Sequence, residues 1–123
     1  MTTKHDTTMI AGDDKIHDVM VTKEDGDEKS LVDAHIIYQV RKGYEPTSLP
    51  IITKTNETGG GIIVTNPALG LFEIRLEPAD SALLTGLYFQ ECEVTDGDGE
   101  VGTVFSGKIN FGKKLIKRVV PAP

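Results

Sequence analysis

The chain has no tryptophan, a single cysteine, and no stretch approaching the ~20 apolar residues that a bilayer-spanning helix needs. One cysteine, Cys92, cannot close an internal disulfide, so a disulfide-stapled secreted scaffold is excluded. With four Phe and three Tyr, the core must lean on Ile, Val and Leu. Positive charge is also scarce. Thirteen Lys and Arg stand against nineteen Asp and Glu, a formal net charge of −6, which argues against nucleic acid as the main partner. The N-terminus, Met1-Thr2-Thr3-Lys4-His5-Asp6, carries no apolar signal segment, and no membrane partner is expected. Synthesis in a cytoplasm is the expectation, compatible with later release in a particle.

Thirteen glycines and six prolines are many for 123 residues, and they punctuate short alternating runs, the pattern of an all-β domain. The length suits one domain. Residues 1–9 are polar and read as a flexible N-terminal segment, residues 10–112 as a β-sandwich domain, and residues 113–123 as a basic and apolar tail or docking arm. Seven strands are expected: Lys15–Thr22, with Val19 and Val21 inward; Ala34–Arg41, with Ala34, Ile36, Tyr38 and Val40 inward; Ile51–Thr55; Ile62–Val64; Leu71–Leu76, with Phe72, Ile74 and Leu76 inward; Gly86–Thr95; and a last strand from Val101 to Phe111. Between the last two, Asp96-Gly97-Asp98-Gly99 is a hairpin signal, because Asp and Gly tolerate φ > 0. Ala79–Leu84 is too short for an independent helix and reads as one helical turn crossing the end of the sandwich.

Residues that could carry chemistry each have a plainer explanation. Cys92 falls on the inward face of its strand with Tyr88 and Val94, where an inert buried thiol is expected. His5, His17 and His35 stand in no ligand motif and read as surface histidines; clustered Cys ligands for zinc are absent. Asp96-Gly97-Asp98-Gly99-Glu100 superficially resembles the start of a calcium loop but lacks its distal glutamate. Gly59-Gly60-Gly61 lacks the Lys-Ser/Thr continuation of a phosphate loop. No catalytic, cofactor-binding or metal-binding residues are assigned, and no enzyme activity is expected.

Several short stretches follow one another in a definite order and spacing along the chain. They are Gly12-Asp13-Asp14; Val21-Thr22 with Asp25-Gly26; Leu31-Val32-Asp33-Ala34-His35-Ile36-Ile37-Tyr38-Gln39-Val40-Arg41; and Gly60-Gly61-Ile62 with Val64. Further on come Gly70, Phe72, Ile74 and Leu76, then Asp80-Ser81-Ala82-Leu83-Leu84-Thr85-Gly86 with Tyr88. Glu91 with Val94-Thr95-Asp96, then Gly99, Val101, Thr103, Gly107 and Ile109, complete the series. In that order they resemble the N-terminal domain of phage baseplate upper proteins, a family of small tailed-phage structural domains, over about residues 10–111. Asp33 departs from it, standing where a turn glycine is usual, and Ser81 stands in place of Thr. What the resemblance implies is an immunoglobulin-like antiparallel β-sandwich serving as a virion component, with no catalytic residues to carry over.

The expected function is therefore non-enzymatic: a structural component of a phage or prophage virion (tail, baseplate or head–tail region), working through protein–protein assembly with other virion proteins or with itself as a homo-oligomer. The alternative is a carbohydrate- or ligand-binding β-sandwich module, for which Tyr44 and Phe89 are the obvious exposed aromatics. The interface candidates are Ile37, Leu87 and Phe89, which fall on nominally outward strand faces, and Leu115 and Ile116 in the tail.

Overall fold

The computed structural model describes residues 3, 4, 6–23, 25–43, 45 and 47–113. Its elements are the strands β1 (Thr3–Lys4), β2 (Thr7–Ile10), β3 (Lys15–Met20), β4 (His35–Arg41), β5 (Pro50–Thr55), β6 (Ile62–Asn66), β7 (Leu71–Leu76), β8 (Gly86–Thr95) and β9 (Val101–Gly112). A 3₁₀ turn (Pro67–Leu69) precedes β7, and a short helix α1 (Pro78–Ser81) precedes β8.

Two sheets pack face to face. The larger runs β5-β4-β8-β9, and both β1 and β2 lie along the outer side of β9; the smaller runs β3-β7-β6. This is an all-β sandwich with the strand order of the immunoglobulin fold. Every pairing between named strands is antiparallel except those of β1 and β2, which run parallel to β9.

Alternation decides which side chains reach the space between the sheets. In β4, Ile36, Tyr38 and Val40 are buried; in β7, Phe72, Ile74 and Leu76 are buried while the Arg75 and Glu73 side chains pair outside at 2.7 Å. Across the β4–β8 ladder Ile36 lies opposite Val94, Tyr38 opposite Cys92 and Val40 opposite Gln90, so both strands turn the same parity inward. Phe105, Ile109 and Phe111 of β9 close this layer, with the Tyr88 and Phe111 rings edge to face at 5.4 Å.

The crossing between sheets is local chemistry. Pro78 sits in the first turn of α1, where its missing N–H is no loss, and Glu77 and Asp80 cap the turn reciprocally. The helical turn thus starts and ends earlier than the sequence expectation of Ala79–Leu84. Gly70 is needed twice over. It has φ +71°, and a Cβ there would come 2.5 Å from the Val21 carbonyl oxygen and 2.7 Å from that of Lys29.

The structure differs from the sequence expectation in two places that matter. Thr7–Ile10 is a strand in register with Ile109–Gly112, within residues expected to form a flexible segment. Two side chains fasten it: Asp6 Oδ1 accepts the Lys108 N–H at 2.9 Å, and Thr7 Oγ1 accepts from Gln90 Nε2 at 3.2 Å. Second, His17 is buried, at 6% exposure, contrary to the expectation of a surface histidine. It has the same parity as Val19 and Val21, so the strand that turns those valines inward turns the imidazole inward too. Its ring centroid lies 6.1 Å from that of Tyr38.

Candidate interaction face

The outer face of the larger sheet collects side chains from β4, β5 and β8 that the fold does not use. Because Tyr88, Gln90, Cys92 and Val94 point inward, Leu87, Phe89, Glu91 and Glu93 point outward; by the same parity β4 presents Ile37, Gln39 and Arg41. Ile37, Arg41, Gly43, Phe89, Glu91 and Glu93 line a shallow groove of about 360 Å³ on this face. Register sets its layout. Ile37 lies opposite Glu93, Gln39 opposite Glu91, and Arg41 opposite Phe89, so Ile37 and Phe89 stand at opposite ends, about 13 Å apart at ~3.3 Å per residue.

Ile37 is 40% exposed and Leu87 46% exposed, while Phe89 is half-buried. The structure therefore brings Ile37 and Phe89 to one groove and leaves Leu87 on the same face, two residues beyond, opposite Asn110. Leu115 and Ile116 lie outside the described residues, as do Tyr44 and His5. Ile51 joins the exposed apolar set without having been singled out by sequence. It sits at a register shift, where Val40 pairs with Ile52 and Arg41 with Pro50, and a bulge cannot be read from an Ile-Ile pair. The face is rigid on its polar side. Arg41 donates from Nη2 to Gln39 Oε1 at 2.8 Å and from Nη1 to the Ser48 carbonyl at 2.9 Å, which fixes the guanidinium along one wall.

Tyr38, Gln90 and Cys92 are buried on the other side of this sheet. The Cys92 thiol is fully buried, and burial, with help from the Glu93 and Glu91 carboxylates, pushes its pKa up to about 12. Burial likewise raises the Tyr38 hydroxyl, with Cys92 contributing, and that hydroxyl donates to Gln90 Oε1 at 2.8 Å. Gln90, buried at 2% exposure, is the polar centre of the core: its amide nitrogen reaches both Thr7 Oγ1 and, at 3.3 Å, the Lys108 carbonyl.

In the β8–β9 turn, Asp96 Oδ1 accepts the N–H groups of Asp98 and Glu100, each at 2.9 Å, while Oδ2 pairs with Lys29 Nζ at 3.1 Å. The Glu100 amide first, and then Lys29, hold its carboxyl below the usual carboxylate range. This carboxylate closes the turn. Gly59-Gly60-Gly61 likewise forms a tight reversal, in which the Gly60 carbonyl accepts the Thr55 N–H and the Gly60 N–H donates to the Glu57 carbonyl. Among the described residues no group of three or more His, Cys, Asp or Glu side chains is arranged to hold a metal ion. No described helix is long and apolar enough to cross a membrane.

Compared with known proteins, the chain matches no protein-family model and no curated protein.

Proposed function

We propose that the chain is a non-enzymatic structural component of a phage or prophage virion, in the tail, baseplate or head–tail region, and that it acts by protein–protein assembly. The observation that carries this reading is the outer face of the larger sheet. Ile37, Ile51 and Leu87 are exposed there on a hydrogen-bonded frame whose interior is already filled. Apolar side chains held rigidly at a surface lose little entropy when a partner covers them, which suits a permanent assembly contact. The similarity of residues 10–111 to tailed-phage domains supplies the kind of assembly. In the particle the chain meets other virion proteins or further copies of itself.

The test is recovery in particles. Phage-like particles from an induced culture of the source organism, purified on a density gradient, should contain the chain in fixed ratio to the other particle proteins. Ile37→Lys combined with Leu87→Lys should leave the chain folded but exclude it from particles. Recovery of the unmodified chain only among free soluble proteins would overturn the reading.

A second reading, a carbohydrate- or ligand-binding module, draws on one feature of the same groove. Phe89 is flanked there by Arg41 and Glu91, an aromatic surface with polar neighbours. Glycan-array binding abolished by Phe89→Ala, with no particle association, would favour that reading instead.

A further inference from the structure

On the outer face of the larger sheet, β8 presents Leu87, Phe89, Glu91 and Glu93 in that order, two apolar side chains followed by two carboxylates. Ile37 of β4 stands at the carboxylate end, directly opposite Glu93, at a Cβ separation of ~5 Å. The two carboxylates are two residues apart on one strand face, ~6.7 Å. Neither forms an ion pair with a described residue. The Arg41 guanidinium is held instead by Gln39 Oε1 and the Ser48 carbonyl, and Arg41 lies in the row of Phe89. Lys108 flanks Phe89 from the other side, so the face is positive around Phe89 and negative around Ile37.

That arrangement decides what can cover the face. An apolar partner lying over Ile37 would take water from Glu91 and Glu93 and leave two charges unpaired, a desolvation cost that opposes the contact. A second copy fares no better. A two-fold contact centred on Ile37 brings the same patch against itself, carboxylates towards carboxylates, between chains that each carry a formal net charge of −6.

We propose that this face docks an extended segment of a different, basic protein, whose facing side chains follow the order set by β8: apolar, apolar, basic, basic. The proposal rests on the reading of this face as an assembly contact and names the chemistry of the partner. An extended chain repeats its same-face side chains every two residues, at the same ~6.7 Å, so lysines or arginines at i and i+2 reach Glu91 and Glu93 together. Their aliphatic stems cover Ile37 while the charged ends meet the carboxylates. At the other end, apolar side chains meet Phe89 in the groove and Leu87 just beyond it. Arg41 and Lys108 repel a basic side chain from the Phe89 row, which gives the segment one orientation on the face.

Its test is an NMR titration of the full-length chain with two seven-residue peptides. Both carry leucine at the first and third positions and threonine at the second, fourth and sixth; one has lysine at the fifth and seventh, the other glutamate. The lysine peptide should shift the amides of Ile37, Leu87, Glu91 and Glu93 and leave those of β3 and β7 unmoved. It should bind at least ~10-fold more weakly to the Glu91→Gln, Glu93→Gln variant, whose unchanged β3 and β7 signals report folding. Binding should also weaken as ionic strength rises from ~0.05 M to ~0.5 M, and the glutamate peptide should leave the face unchanged. No shift at these amides, equal affinity for parent and variant, or equal binding of the two peptides would overturn the proposal. Shifts of the same amides that grow with protein concentration in the absence of peptide would overturn it in favour of a second copy. Particle recovery is read separately. A chain found in particles that ignores the lysine peptide sinks only the partner's chemistry, and one that binds the peptide but never enters particles sinks only the virion reading.

Discussion

Replacing Gln90 by Met keeps roughly the volume of the side chain and removes every polar atom from it. In the folded protein Tyr38 is fully buried and its hydroxyl donates to Gln90 Oε1 at 2.8 Å, so Gln90→Met removes that acceptor from a hydroxyl out of reach of water. A buried donor that loses its acceptor costs ~1–3 kcal/mol, and the bond from Gln90 Nε2 to Thr7 disappears as well. Tyr38→Phe makes the complementary cut, taking the hydroxyl from Gln90 Oε1, at a similar ~1–3 kcal/mol. When both partners are apolar neither is stranded, so the double variant should be more stable than the sum of the singles predicts, by ~1–2 kcal/mol. Urea unfolding of the four proteins measures this coupling directly, because the midpoint shifts while the slope stays constant. Hydrogen exchange at Thr7 and Thr8 should accelerate in Gln90→Met, since that side chain ties β2 to the core. Strict additivity in the cycle, or a Gln90→Met variant as stable as the parent, would refute the account of this buried network.

Other expectations follow from single side chains. Tyr88→Ala should destabilise the domain by ~3–5 kcal/mol, because a ring at 7% exposure packed against Phe111 leaves a cavity; an unchanged thermal midpoint would contradict that placement. Cys92 should resist thiol reagents until the protein unfolds. Its folded pKa, about 12, lies above the ~8.5 of an unfolded cysteine, so the folded state holds the proton more tightly. That contribution to stability is complete below pH ~8.5 and is lost as pH rises towards 12, and Cys92→Ala should flatten the alkaline fall seen in unfolding curves. Asp33 has φ +59°, a left-handed conformation that costs a non-glycine residue ~1–2 kcal/mol. Asp33→Gly should therefore raise the melting midpoint or leave it unchanged, and Asp33→Ala should lower it.

Much of the fold is legible in the sequence because a half-buried strand advertises itself with a period of two. Leu71–Leu76 and His35–Arg41 show it cleanly, and Gly86–Thr95 coincides with β8 because the Asp-Gly turn marks one end and Gly86 the other. The positive φ of Asp33 is not legible in that period, because an aspartate is not confined to the left-handed region. The outward placement of Ile37 and Leu87 follows from the same parity. Their meeting on one groove or face does not, because it depends on the register between β4 and β8.

What the sequence by itself determined is local: which stretches are extended, where they turn, and which parity within a strand is apolar. Tertiary structure decided what local pattern cannot contain. Thr7-Thr8-Met9-Ile10 has no alternation to distinguish it from a polar tail. It becomes a strand because β9 offers an open edge, because Gln90 donates to the Thr7 side chain and because the Lys108 N–H donates to Asp6 just before it. His17 is an ordinary polar residue until β7 pairs with its strand and turns that parity onto Tyr38. A side chain's chemistry belongs to the residue, but its burial belongs to whatever packs across from it, and that partner is supplied from far along the chain.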